Sequence, residues 1–107
     1  MNSEVISVKK QLLPPGTVVR IKKCSPKIMV CGFVLKDKNG NLYDYAGVIY
    51  PAGIDDPKNI LLFNSDDIET VCYIGFQDDE QRVFGSALSQ KWEEYSAEYL
   101  SLEENLI

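Results

Sequence analysis

The sequence predicts an α+β fold, a strongly bent five-stranded antiparallel sheet followed by a single C-terminal helix. Three observations predict it. Five short runs rich in β-branched and aromatic residues lie between residues 17 and 76, separated by clusters of Gly, Pro, Asn and Asp. One of them, KIMVCGFVLK (27–36), is apolar at both parities, and a strand of that kind has to be covered on two faces. Beyond residue 77 the apolar spacing changes from two residues to the three-and-four steps of a helix. At 107 residues and 45% apolar content, the chain can bury a core as one domain without disulfide or metal staples. It divides into a leader (1–11), the bent sheet (12–76), and a helix with its tail (77–107) that belongs to the same domain.

The leader lacks sustained periodicity and is closed by Pro14-Pro15-Gly16, so it reads as a loosely held tail. TVVRIKK (17–23) places Val19 and Ile21 on one face and Arg20 and Lys22 on the other, a half-exposed strand. In KIMVCGFVLK, Met29, Cys31, Phe33 and Leu35 point one way, and Ile28, Val30 and Val34 the other. This is the expected central strand, buried on both sides. Asp37-Lys38-Asn39-Gly40-Asn41 supplies residues that tolerate positive φ in a hairpin loop. The chain then returns through YDYAGVIYPAG (43–53). There Tyr43, Tyr45, Gly47 and Ile49 share one face, and Asp44, Ala46, Val48 and Tyr50 the other. Gly47 lets the strand bend or another backbone come close. Pro51 ends the strand near Tyr50, since it cannot donate to a ladder. NILLF (59–63) makes a fourth strand, Ser65-Asp66-Asp67-Ile68 a single helical turn, and TVCYIGF (70–76) a fifth strand. Four strands, a one-turn helix and a fifth strand follow the element order of an SH3-like, partly open barrel.

Composition narrows the chemistry. Histidine is absent, which removes the usual general base and the commonest metal ligand. The acidic clusters Asp55/Asp56, Asp66/Asp67 and Asp78/Asp79/Glu80 each occupy a turn or a helix start, where acids cap exposed amides and complement the helix dipole. None has the spacing of a calcium loop. Cys24, Cys31 and Cys72 match neither a redox pair nor a zinc knuckle. They lie within or beside apolar runs and are expected to be reduced and to act as small hydrophobes. No enzyme, cofactor or metal is expected. With 16 acids against 11 bases, neither nucleic acid nor an anionic membrane surface is an expected partner. No apolar run is long enough to cross a bilayer and the first residues do not form a signal peptide, so the expected location is the cytoplasm. Charge is unevenly spread: residues 1–27 hold six bases and one acid, residues 78–107 eight acids and two bases. Such asymmetry points to an interaction surface or an internal salt-bridged contact.

The helix is the most periodic segment. Phe84, Leu88, Trp92, Tyr95, Tyr99, Leu102 and Leu106 follow steps of four or three and hold one stripe. Residues 79–102 would extend about 36 Å, longer than a typical strand, so the stripe is expected to overhang the sheet. Its far part, Trp92, Tyr95, Tyr99 and Leu102 amid glutamates, is the candidate partner-binding face.

Taken together, LLPPGTVVRIKK (12–23), KIMVCGFV (27–34), YDYAGVIYPAG (43–53) and LLFNSDDIETVCYIGFQDDE (61–80) resemble domain-of-unknown-function family 4176, small proteins of Gram-positive bacteria. The most specific parts are the Tyr-Asp-Tyr-x-Gly-Val-x-Tyr-Pro-x-Gly block and the Phe-Asn-x-Asp-x-Ile turn. Members are commonly encoded beside type VII secretion toxins with helical LXG domains and their small helical partner proteins. The resemblance implies a non-catalytic cytoplasmic accessory or chaperone that binds the helical targeting region of such a toxin, or those helical proteins. It carries no catalytic residues over. Two other readings remain: an immunity protein that binds the toxic domain, and a regulatory or nucleic-acid-binding barrel using Arg20, Lys22 and Lys23.

Overall fold

A computed structural model describes the backbone of residues 11–105 and the side chains of residues 11–96. Five strands, β1 (Val18–Ile21), β2 (Ile28–Lys36), β3 (Leu42–Ile49), β4 (Leu61–Phe63) and β5 (Ile68–Tyr73), are followed by one helix, α1 (Asp79–Asn105). Short 3-10 turns at Pro57–Asn59 and Ser65–Asp67 flank β4. The strands form one antiparallel sheet in the order β4-β3-β2-β1-β5. Among the described residues β4 and β5 do not pair with each other, so the sheet is open and the fold is α+β. The strand order, with a 3-10 turn before the last strand, is compatible with an SH3-like arrangement.

β2 is the middle strand, as its composition requires, but burial on both faces belongs to its neighbour. In β3 every residue from Asp44 to Val48 is buried, while β2 exposes Cys31. Pairing explains the difference: Val30 lies opposite Gly47 and Gly32 opposite Ala46, which leaves Cys31 as the extra residue of a bulge. The bulge also inverts the faces. Phe33 and Leu35, opposite Tyr45 and Tyr43, join the side of Ile28 and Val30 instead of that of Met29. Strict two-residue alternation across the whole of β2 therefore fails at Cys31. Val34 is buried with φ +51°, a left-handed conformation that costs a β-branched residue about 1–3 kcal/mol. The pairs Phe33–Tyr45 and Leu35–Tyr43 on either side hold it there.

The core cluster comprises Val19, Ile21, Ile28, Val30, Tyr45 and Phe63, with Leu12, Leu13, Phe33, Ile49, Leu61 and Ile68 packed around it. Each large aliphatic side chain so buried contributes about 1.5–3 kcal/mol relative to exposure. The hairpin loop between β2 and β3 closes on Asp37: its carboxylate accepts from the amides of Asn39 and Asn41 at 2.9 Å and from the Asn41 side chain at 3.0 Å. Gly40 takes the positive φ that this loop requires.

The cysteines depart from expectation. All three are free, but Cys31 and Cys72 are exposed and Cys24 is half-buried. Cys31 is the extra residue at the β2 bulge. Cys72 is the extra residue at a register shift in β5, between the pairs Val19–Val71 and Val18–Tyr73. An apolar run thus does not bury the residue that its bulge turns out of the ladder.

Candidate functional site

The tyrosine- and glycine-rich block of β3 builds the interior. Tyr45, 1% exposed, stacks on Phe63 with ring centroids 5.3 Å apart and meets Phe33 edge-on at 6.1 Å. Its hydroxyl accepts from the Leu13 amide at 2.9 Å and so ties the first described residues to the core. Gly47 is required by contact: a Cβ there would collide with the Ile28 side chain and press on the Met29 carbonyl and the Phe63 ring. Asp44 is buried, and its carboxylate accepts from the Ser65 amide at 2.7 Å. Its own amide donates to the Asn64 side-chain oxygen, and the Asn64 amide donates to Asp67, both at 2.9 Å. The Tyr-Asp-Tyr and Phe-Asn-x-Asp motifs are therefore two halves of one clamp that fixes the 3-10 turn before β5.

A second clamp joins the two ends of the sheet region. The Gly16 amide donates to the Val30 carbonyl at 2.9 Å and the Val30 amide to the Thr17 carbonyl at 2.8 Å. The buried Thr17 hydroxyl accepts from the Gly75 amide at 3.0 Å. A Cβ on Gly75 would collide with the Pro15 carbonyl. Pro15 and the chain leaving β5 are thus held side by side, directly beneath the start of α1.

The structure places the predicted helical stripe against the sheet in its first half. The Phe84 ring meets Phe33 edge-on at 6.3 Å and Leu88 is buried. Trp92 and Tyr95, expected on an overhang, are half-buried. The Lys36 ammonium, at the end of β2, sits 4.5 Å from the Tyr95 ring centroid, and that of Lys91 lies 5.4 Å from it. Tyr99 and Leu102 belong to α1, but their side chains, like Leu106 of the same stripe, lie outside the described residues.

Sequence reasoning passed over the junction between sheet and helix. Tyr73, Ile74, Phe76, Val83 and Phe84 are all exposed, Phe76 by 76% and Val83 by 72%. A groove of about 630 Å³ runs between Pro15 and Phe76 on one wall and Val83, Phe84 and Ala87 of α1 on the other. A smaller hollow of about 450 Å³ lies on the sheet side, lined by Val18, Met29, Tyr50 and Tyr73. The signal was present in TVCYIGF, which is apolar at both parities although the last strand of an open sheet is an edge and cannot be covered twice.

The charged residues that line the groove, Asp78 and Glu80, are acidic, whereas Lys27 lines the hollow. Asp78 caps α1 by accepting from the Gln81 amide at 2.9 Å, and Arg82 is ion-paired with Asp79 at 2.8 Å. On β1, Arg20 is exposed and bonded to the Ser25 carbonyl at 3.2 Å, and Lys22 and Lys23 are exposed beside it. Although Cys31 is exposed, neighbouring atoms partly desolvate its thiol and push it up from its ordinary pKa, away from the thiolate form. Among the described residues no group of His, Cys, Asp and Glu could hold a metal ion, and no helix is long and apolar enough to cross a membrane.

Fold and surface together define a small open-sheet α+β domain with an exposed apolar junction between its last strand and its helix. The chain belongs to the family described as Domain of unknown function (DUF4176), whose model matches residues 12–84. That span takes in both clamps and ends at Phe84, in the second turn of α1. No curated protein and no solved structure matches the chain.

Proposed function

We propose that the protein is a non-catalytic cytoplasmic accessory or chaperone, which binds an LXG-type toxin of type VII secretion or its small helical partner proteins and assists export. The observation that carries the binding part is the cluster of exposed large apolar side chains at the junction, Tyr73, Ile74, Phe76, Val83 and Phe84. Three of them, Phe76, Val83 and Phe84, line one groove, and apolar side chains gathered in water in this way favour association. The secretion part rests on the family resemblance and on the gene neighbourhood usual for it. In this reading the partner's helical targeting region lies along α1, engaging Trp92, Tyr95, Tyr99 and Leu102, and the protein shields its apolar seam without altering a covalent bond.

The test is co-expression with the neighbouring toxin, split into its helical and toxic parts. Capture of the helical part by the wild type, reduced more than about a hundredfold in affinity by Trp92→Ala/Tyr99→Ala, supports the proposal, because each aromatic anchor contributes about 2 kcal/mol. Capture of the toxic part alone, with protection of cells that express it, establishes an immunity protein instead.

A further inference from the structure

We infer that the groove between Pro15 and Phe76 and the first turns of α1 is a docking site for an amphipathic helix that carries Lys or Arg along its margin. The inference deepens the proposed function and rests on its reading of the protein as a binding module. Three features of the groove select this occupant.

The first is the shape of the walls. Val83 and Ala87 stand one turn apart on α1, on a face rotated about 100° from the stripe that docks on the sheet. That face is apolar only in the first turns, and Phe84 bridges the two faces, with its ring on Phe33 and 52% of its surface exposed. A helix with an open i, i+4 apolar pair offers ridges into which a second helix packs.

The second is the absence of a ladder. The opposite wall consists of the Pro15 ring and the Phe76 side chain, and proline has no amide to donate to an added strand. The nearby sheet edge, β5, carries two register shifts within six residues, and bulges of this kind turn an edge away from strand addition. An extended segment finds no regular backbone partner here, whereas a helix needs none.

The third is charge. The titratable side chains that line the groove are Asp78 and Glu80, and neither is ion-paired among the described residues. The nearby cation, Arg82, is held by Asp79. A basic margin on the occupant would complete pairs at the groove's rim and steer its approach. A second copy docked by the same face would bring acid onto acid, so self-association through this groove is disfavoured.

The experiment uses the full chain with methyl-labelled Val, Ala, Leu and Ile. It is titrated with a synthetic amphipathic peptide of about 18 residues, roughly 27 Å when helical, bearing Leu on one face and Lys along the margin. A second peptide has the same Leu face and Glu in place of each Lys. The expected result is shifts at Val83 and Ala87, with affinity for the Lys peptide at least about tenfold higher than for the Glu peptide. Glu80→Gln should narrow that preference. Phe76→Ser/Val83→Ser should abolish the shift at the remaining reporter, Ala87, at wild-type thermal stability, since both replaced side chains are exposed. Equal affinity for the two peptides, shifts confined to Val18 in the sheet-side hollow, no binding of either peptide, or concentration-dependent shifts without peptide would each overturn the assignment. The same double variant separates this site from the proposed function. Continued capture of a toxin's helical part by the double variant removes the groove and leaves the accessory role. Peptide binding as expected, with no toxin part captured, keeps the groove and removes that role.

Discussion

Tyr45 and Phe76 both sit beside a required glycine, yet Tyr45 is 1% exposed and Phe76 is 76% exposed. The difference lies in what closes over each. Around Tyr45 the sheet contributes strands on both sides, and Gly47 lets Ile28 and Phe63 press in. Around Phe76 the chain has left the sheet edge, and Gly75 brings the backbone against Pro15 and Thr17 without closing over the ring. A dense aromatic and glycine motif marked the place where the fold needs close packing. The exposed apolar surface lies where the sequence is plainer.

The largest effects should come from the interior. Gly47→Val forces a branched side chain into Ile28 and the Met29 carbonyl, and overpacking against backbone costs about 3 kcal/mol or more. Loss of a cooperative denaturant transition is expected. Gly75→Ala, which meets the Pro15 carbonyl, should behave in the same way. Val30→Asp buries an unpaired charge at a site 1% exposed and should yield insoluble protein. Phe33→Asp, at a half-buried position on the rim, should stay soluble at reduced stability. If Gly47→Val melts like the wild type, the block is not the packing centre described.

The clamp at Asp44 comes next. Asp44→Ala leaves the Ser65 amide without its charged acceptor, a loss of about 1.5–3 kcal/mol, measurable by urea denaturation. A smaller change is expected at the far end of β2. Lys36→Gln removes a cation from the Tyr95 ring, worth about 0.5–1 kcal/mol, and should show as faster amide exchange in the middle of α1 with little change in the sheet.

The smallest effect concerns pH. The Asn41 side chain first, and then the Asn41 and Asn39 amides, hold the Asp37 carboxyl below its ordinary pKa. A carboxyl depressed in the folded state stabilises the fold above its unfolded pKa, and that stabilisation disappears as pH falls through the folded value. Asp37 should therefore titrate below a free aspartate in an NMR series, and Asp37→Ala should remove the effect. An ordinary titration would mean that the loop bonds do not persist in solution.

Much of the sheet was legible because its signals are local. Alternation gave β1 and β3, Asn-Gly gave the hairpin, Pro51 ended β3, and the helical period gave α1 within a residue or so of Asp79. The bulges were not legible. Nothing in VCGF says that Cys31 has no partner, because the register is set by Gly47 and Ala46 on the next strand. That single shift misplaced Phe33 and Leu35 and misjudged Cys31. The groove was hidden for a related reason. Pro15, Phe76, Val83 and Ala87 are separated by up to 72 positions, and they meet through contacts between distant segments: the β1–β5 pairing, the Thr17–Gly75 bond and the Phe33–Phe84 contact.

The contrast between the two regions is tested most directly by measuring thermal stability and capture of the toxin's helical part in parallel for Asp44→Asn and Phe76→Ser/Val83→Ser. The account predicts that Asp44→Asn melts at lower temperature and still captures the partner, while the double variant melts with the wild type and captures none. Loss of capture in Asp44→Asn at unchanged stability, with capture retained by the double variant, would contradict it.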